Sequence, residues 1–158
     1  MNRLRLKFNK ILIFFGFKKK RLVFFFFFFK FVEMNLNNRM YEDNENIRAA
    51  ITDFNQRADR MGGVFGQLGY SENGEFDISL SKVSHSVKDV KIADNSVIGT
   101  ITVLDTPCGR DLRKMIKSTV FRPRSSGRVQ EDGTVDITKI FTFDAIPVKT
   151  DSFNNTNK

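Results

Sequence analysis

The stretch Val97–Arg128, VIGTITVLDTPCGRDLRKMIKSTVFRPRSSGR, decides the fold class. Val97 to Leu104 is dense in β-branched residues and predicts a strand. Thr106-Pro107 opens a helix over roughly Cys108 to Lys117, because proline suits the first helical turn and Leu112, Met115 and Ile116 share one face. Phe121 to Arg128 then returns to a strand that carries the paired Ser125 and Ser126.

Working outward, Asn44 can cap a helix over Asn46 to Arg60, with Ile47, Ala50, Ile51, Phe54 and Ala58 on one face and Met61-Gly62-Gly63 as its stop. The glycines of Val64 to Tyr70, VFGQLGY, mark close backbone approach rather than an ordinary strand. Ile78 and Leu80 lead an alternating run through Val83, His85 and Val87. An offset at Asp89 moves the pattern to Val90 and Ile92, which predicts a bent strand. Asp94-Asn95 supplies a hairpin turn into the Val97 strand, so the two should pair antiparallel. Val135 to Ile146 alternates as the last strand, and SFNNTNK is a polar tail. The sum is α+β, a small antiparallel barrel-like sheet with flanking helices.

The net charge of +8 invites a nucleic-acid reading, but it is concentrated at one end. Residues 1–33 hold nine Lys and Arg against Glu33 alone, whereas residues 34–158 hold 17 basic and 17 acidic residues. A balanced body has no electrostatic reason to favour phosphate backbones, so nucleic acid is not an expected partner. The first 33 residues also hold 11 of the 18 Phe. The apolar run Ile11 to Phe17 ends at Lys18-Lys19-Lys20-Arg21 with no small-residue cleavage site, unlike a signal peptide. Neither apolar block reaches the roughly 20 residues of a spanning helix, so no membrane partner is expected. Two readings of this extension remain: translated upstream sequence ahead of a start at Met34 or Met40, and a genuine strand over Leu22 to Val32. The expected organisation is therefore an extension over 1–33, a domain over 34–153 and a disordered tail over 154–158.

Cys108 and His85 are the sole residues of their kinds. A single cysteine allows no internal disulfide, and one His with one Cys offers no zinc-ligand spacing, so neither metal nor cofactor is expected. A nucleophilic serine needs a base within hydrogen-bond reach and donors for the oxyanion, which makes Ser125 a candidate, with Ser126 as its alternative. His85 reads either as a half-buried strand residue or as the base. Asp144, set among Phe141, Phe143 and Ile146, should be paired or functional. Arg110, Arg113, Lys114 and Lys117 read as a solvated helical face.

Taken in order, NLNNRMY (35–41), VFGQLGY, VSH (83–85), VIGTITVLDTPCG, RSSGR (124–128) and TFDAIP (142–147) resemble the prohead core protease family of T-even-type phages, over roughly Phe28 to Phe153. The resemblance implies a small β-barrel with flanking helices, similar to herpesvirus assembly proteases, with Ser and His on neighbouring strands. It implies a serine endopeptidase that acts in the host cytoplasm inside the assembling prohead, cutting scaffold or core proteins and the major capsid protein. It needs no metal or cofactor, and association with further copies of itself is compatible with it. Ser125 takes the nucleophile position and Asp144 that of an acid orienting a base. The chain departs from the family at two places. Gly66-Gln67-Leu68-Gly69-Tyr70-Ser71 stands where the family has G-E-L-(N/G)-H-P, so Tyr70 occupies the histidine position and His85 is left as a substitute base. Arg122-Pro123-Arg124 stands where the family has a small Gly-Val or Gly-Ile step. A tyrosine is a poor base near pH 7. An inactive member acting as an inhibitor of the protease or as a scaffold-binding regulator is therefore the alternative to an active protease.

Overall fold

The computed structural model describes residues 14–18, 21–25, 29–30, 44–71, 76–93 and 96–148. Within them lie strands β1 (Phe14–Lys18), β2 (Arg21–Phe25), β3 (Phe29–Lys30), β4 (Val64–Gln67), β5 (Val83–Ala93), β6 (Ser96–Val103), β7 (Thr119–Val129) and β8 (Val135–Pro147). Helix α1 spans Glu45–Met61 and α2 spans Pro107–Met115.

Helix α1 begins where Asn44 accepts hydrogen bonds from the Asn46 and Ile47 amides, and ends at Gly62 in the left-handed conformation. Its buried stripe is Ile47, Ala50, Ile51, Phe54 and Ala58, and Phe54 meets Phe143 edge-on at 5.4 Å. Thr106 caps α2 by accepting from the Gly109 amide, with Pro107 in the first turn and Leu112 fully buried. A 3-10 turn over Ile116–Ser118 follows it.

Strands β5 and β6 pair antiparallel, with His85 opposite Val103 and Ala93 opposite Ser96. The bend expected at Asp89 is a bulge between Lys88 and Lys91, with Asp89 at φ 54°. From α1, the Asn55 amide bonds both the N–H and the C=O of Val90, giving the bulged backbone its partners. Ile78 and Leu80 do not extend β5. The Lys82 amide closes a turn onto Ser79 O, Leu80–Lys82 is a 3-10 turn, and Leu80 is 86% exposed.

The larger sheet runs β1-β2-β6-β5-β4, with β3 also on β6, and the second sheet is the β7–β8 ribbon. The chain is thus mixed helix and antiparallel sheet, as expected, but the described strands do not close into a barrel. The two sheets meet through a parallel bridge between Leu68 and Ala145, reinforced by the Gly69 amide on Ala145 O at 2.8 Å. In the N-terminal extension, β2 pairs with β6 through Val23–Phe25, and β1 lies outside β2. Asp94-Asn95, Asn35 to Tyr41 and the C-terminal tail lie outside the described residues.

Candidate functional site

Helix α2 and strand β5 are locked together, and the lock explains two of the sequence motifs. The Thr106 hydroxyl donates to Val83 O and the Leu104 amide to Ser84 O. A Cβ on Gly109 would stand 2.0 Å from Leu104 O and 2.9 Å from Ser84 O, so only glycine fits there. LDTPCG and VSH are therefore two halves of one close-packed joint.

The joint sets His85 wholly inside the protein. Its Nε2 lies 2.9 Å from Phe143 O and its Nδ1 2.8 Å from Ser84 Oγ. A carbonyl only accepts, so Nε2 carries the proton and Nδ1 accepts from the Ser84 hydroxyl. The Phe121 ring meets the imidazole edge-on at 5.1 Å. Burial disfavours the imidazolium, and despite the opposing pull of the Phe143 carbonyl the pKa falls from 6.5 to about 4. Gly66 pairs with His85 across β4 and β5, and a Cβ there would fall 2.3 Å from both His85 Nε2 and Phe143 O. The first glycine of VFGQLGY thus leaves room for a hydrogen bond between the two sheets.

Asp144 makes a two-pronged ion pair with Arg124, Oδ1 to Nη2 at 2.8 Å and Oδ2 to Nε at 3.0 Å, with both side chains buried. Burial raises the carboxyl's pKa, opposed by the guanidinium and by the Gln67 backbone amide. Arg124 also reaches Phe76 O at 3.4 Å and Asp77 O. The buried Gln67 side chain accepts from the Ser79 amide and donates to Tyr70 O at 3.1 Å. Arg124 and Gln67 thereby fasten both legs of the chain between Gly69 and Ser79.

Tyr70 is 44% exposed, and its pKa is raised by burial and lowered by the nearby Arg122. Arg122 precedes Ser125 by three residues, roughly 10 Å of extended strand. Ser125 lies opposite Ile140, which is buried, and Ser126 opposite Lys139, which is exposed, so the register turns Ser126 to the outer face. Ser126 Oγ lies 3.3 Å from Thr138 Oγ1. The register shifts between Arg124 and Ser125 and again between Ser126 and Gly127, so two bulges bracket the serine pair. From α1, the Arg57 guanidinium donates to Ile140 O and Phe141 O, capping carbonyls at the first bulge.

The hydrogen bonds of His85 thus run to Ser84 and Phe143 O, and those of Asp144 to Arg124 and the Gln67 amide. The sequence named Arg124 only as a neighbour of the serines and overlooked it as the partner of Asp144. The available signal was a lone carboxylate in an apolar strand, with arginines on the strand that precedes it in the sequence. Among the described residues no three His, Cys, Asp or Glu gather as a metal ion would need, and no helix is long and apolar enough to cross a membrane.

No protein-family model and no curated protein sequence matches the chain. Among solved structures, the fold is similar to that of the bacteriophage T4 capsid assembly protease, gp21, with a TM-score of 0.65 over 85% of this chain and 90% of that one. The two are 18% identical in sequence, so the likeness is one of fold.

Proposed function

We propose that this chain is a phage capsid-assembly protein on a prohead-protease-like fold, which engages scaffold or capsid proteins within the assembling prohead without hydrolysing them through Ser125. The observation that carries this reading is the state of His85. A general base must offer a free lone pair to the nucleophile it activates. Here Nε2 is protonated towards Phe143 O and Nδ1 is taken by Ser84. Asp144, the candidate orienting acid, is engaged by Arg124 instead. The T4 neighbour's printed role in capsid assembly supplies the biological setting.

The bulges opposite Ser125 and Ser126, whose extra residues Phe141 and Thr138 lie on β8, favour a second reading, an endopeptidase whose base comes from elsewhere, because bulges recur beside active sites. Co-expression with the scaffold and major capsid proteins of its phage separates the two. Co-sedimentation with those proteins and intact partner masses are expected. Fragments that vanish in Ser125→Ala or Ser126→Ala would establish the protease instead.

A further inference from the structure

Phe76 is 51% exposed, yet its ring lies on that of Phe141, with centroids 4.3 Å apart and planes 26° from parallel. Phe141 is the residue of β8 that the first bulge leaves without a partner on β7, next to the position opposite Ser125. Lys139 Nζ lies 5.3 Å from the same ring, and Lys139 itself pairs with Ser126. An aromatic seat with a cation at its side thus sits on the outer face of the serine ribbon, and a residue from a distant part of the sequence fills it.

The main chain of that residue is held separately. Arg124 donates to Phe76 O and Asp77 O, while Gln67 accepts from the Ser79 amide. These contacts read backbone groups, which any extended peptide offers, and only the ring seat reads a side chain. Half of the Phe76 side chain stays in water, so the stack on Phe141 is its principal side-chain contact there.

We propose that Phe76–Ser79 is an intramolecular plug on a peptide-binding site of the β7–β8 ribbon, and that the site's ligand is an extended segment of a partner protein carrying an aromatic side chain. Phe141 receives the partner's ring, and Arg124 meets its backbone carbonyls. The plug's own phenylalanine defines the fit, since it shows which side chain the seat accepts. The proposal rests on the assembly reading only for where the partner comes from, and it holds whether or not Ser125 cuts.

A synthetic peptide with the sequence of residues 73–80, NGEFDISL, is the probe. It is titrated into the wild-type chain and into Phe76→Ala, with backbone amide shifts followed by NMR. Phe76→Ala should fold normally, because the side chain it shortens is half in water. Peptide shifts should centre on Lys139, Phe141 and Ser126. Binding to the wild type should be at least roughly tenfold weaker than to Phe76→Ala, as expected if the plug leaves the seat vacant about a tenth of the time. The same peptide with Ala in place of Phe should lose the shifts, as should a Phe76→Ala, Phe141→Ala double variant. Equal affinity for the two proteins, or no shifts at these amides in Phe76→Ala, would overturn the proposal. The purified chain alone suffices, so neither result depends on its role in capsid assembly.

Discussion

The layer around His85 and the ribbon that carries Ser125 are built on opposite principles. In the first, every polar atom has a designated partner. Ser84, His85 and Phe143 O form a chain of hydrogen bonds, and Gly66 and Gly109 sit where a methyl group would strike it or its neighbours. In the second, two bulges interrupt the ladder, Ser126 shares a 3.3 Å contact with Thr138, and residues 127–133 at the ribbon's tip face water. The residues that carry the resemblance to a protease family fall mostly in the first region, whereas the candidate nucleophile Ser125 falls in the second. The glycines and the threonine cap of the first region answer to close packing alone, whatever chemistry the ribbon carries.

The largest expected effect breaks the ordered layer directly. Gly66→Ala places a methyl group inside the His85–Phe143 hydrogen bond, so the two sheets must separate or the imidazole must turn away. Overpacking and the lost buried hydrogen bond together should cost roughly 4 kcal/mol, read from urea unfolding at pH 7. A loss below about 1 kcal/mol would mean that the sheets part easily there, and that His85 is less firmly fixed than its partners imply.

A smaller effect comes from pH. The imidazole titrates at about 4 in the folded protein and near 6.5 when unfolded, so between those values the unfolded chain binds more protons. Its contribution to stability is fully present above pH 6.5 and is lost as pH falls towards 4, amounting to about 3 kcal/mol over that window. Unfolding free energies at pH 7 and pH 4 measure it, and His85→Gln should flatten the dependence by most of that amount. An unchanged slope in the variant would show that the ring is hydrated. The neutral histidine would then no longer separate the layer from the ribbon.

Much of this division was legible in the sequence. Asn44, the α1 stripe, Thr106-Pro107 and the Asp89 offset each act within a few residues, and local rules read them. The pairing of β5 with β6 follows from a short turn between alternating runs. The site was less legible, because its partners come from afar. Phe143 O reaches His85 across 58 residues, and Arg124 is separated from Asp144 by 20. No local pattern says which arginine a buried carboxylate will choose. The run from Ile78 to Leu80 failed as a strand for a similar reason: it has the alternation of one, but the Ser79 amide is taken by the distant Gln67 side chain and Ser79 O by the Lys82 amide of the 3-10 turn.

The smallest expected effect tests the ribbon on its own terms. Ser126→Ala removes a hydroxyl that faces outward beside Lys139 and holds only a long contact to Thr138. Thr138 is exposed and also donates to Ser126 O at 3.2 Å, so water can take over what the hydroxyl leaves. Stability should change by less than about 0.5 kcal/mol, as for ordinary surface positions. Two bulges leave the backbone its own local geometry there, and one hydroxyl does not set it. Should Ser126→Ala instead cost more than about 2 kcal/mol in urea unfolding, the serine would be a structural member of the ribbon. The contrast with the His85 layer would then disappear, and the bulges would reflect a network as closed as the one around the histidine.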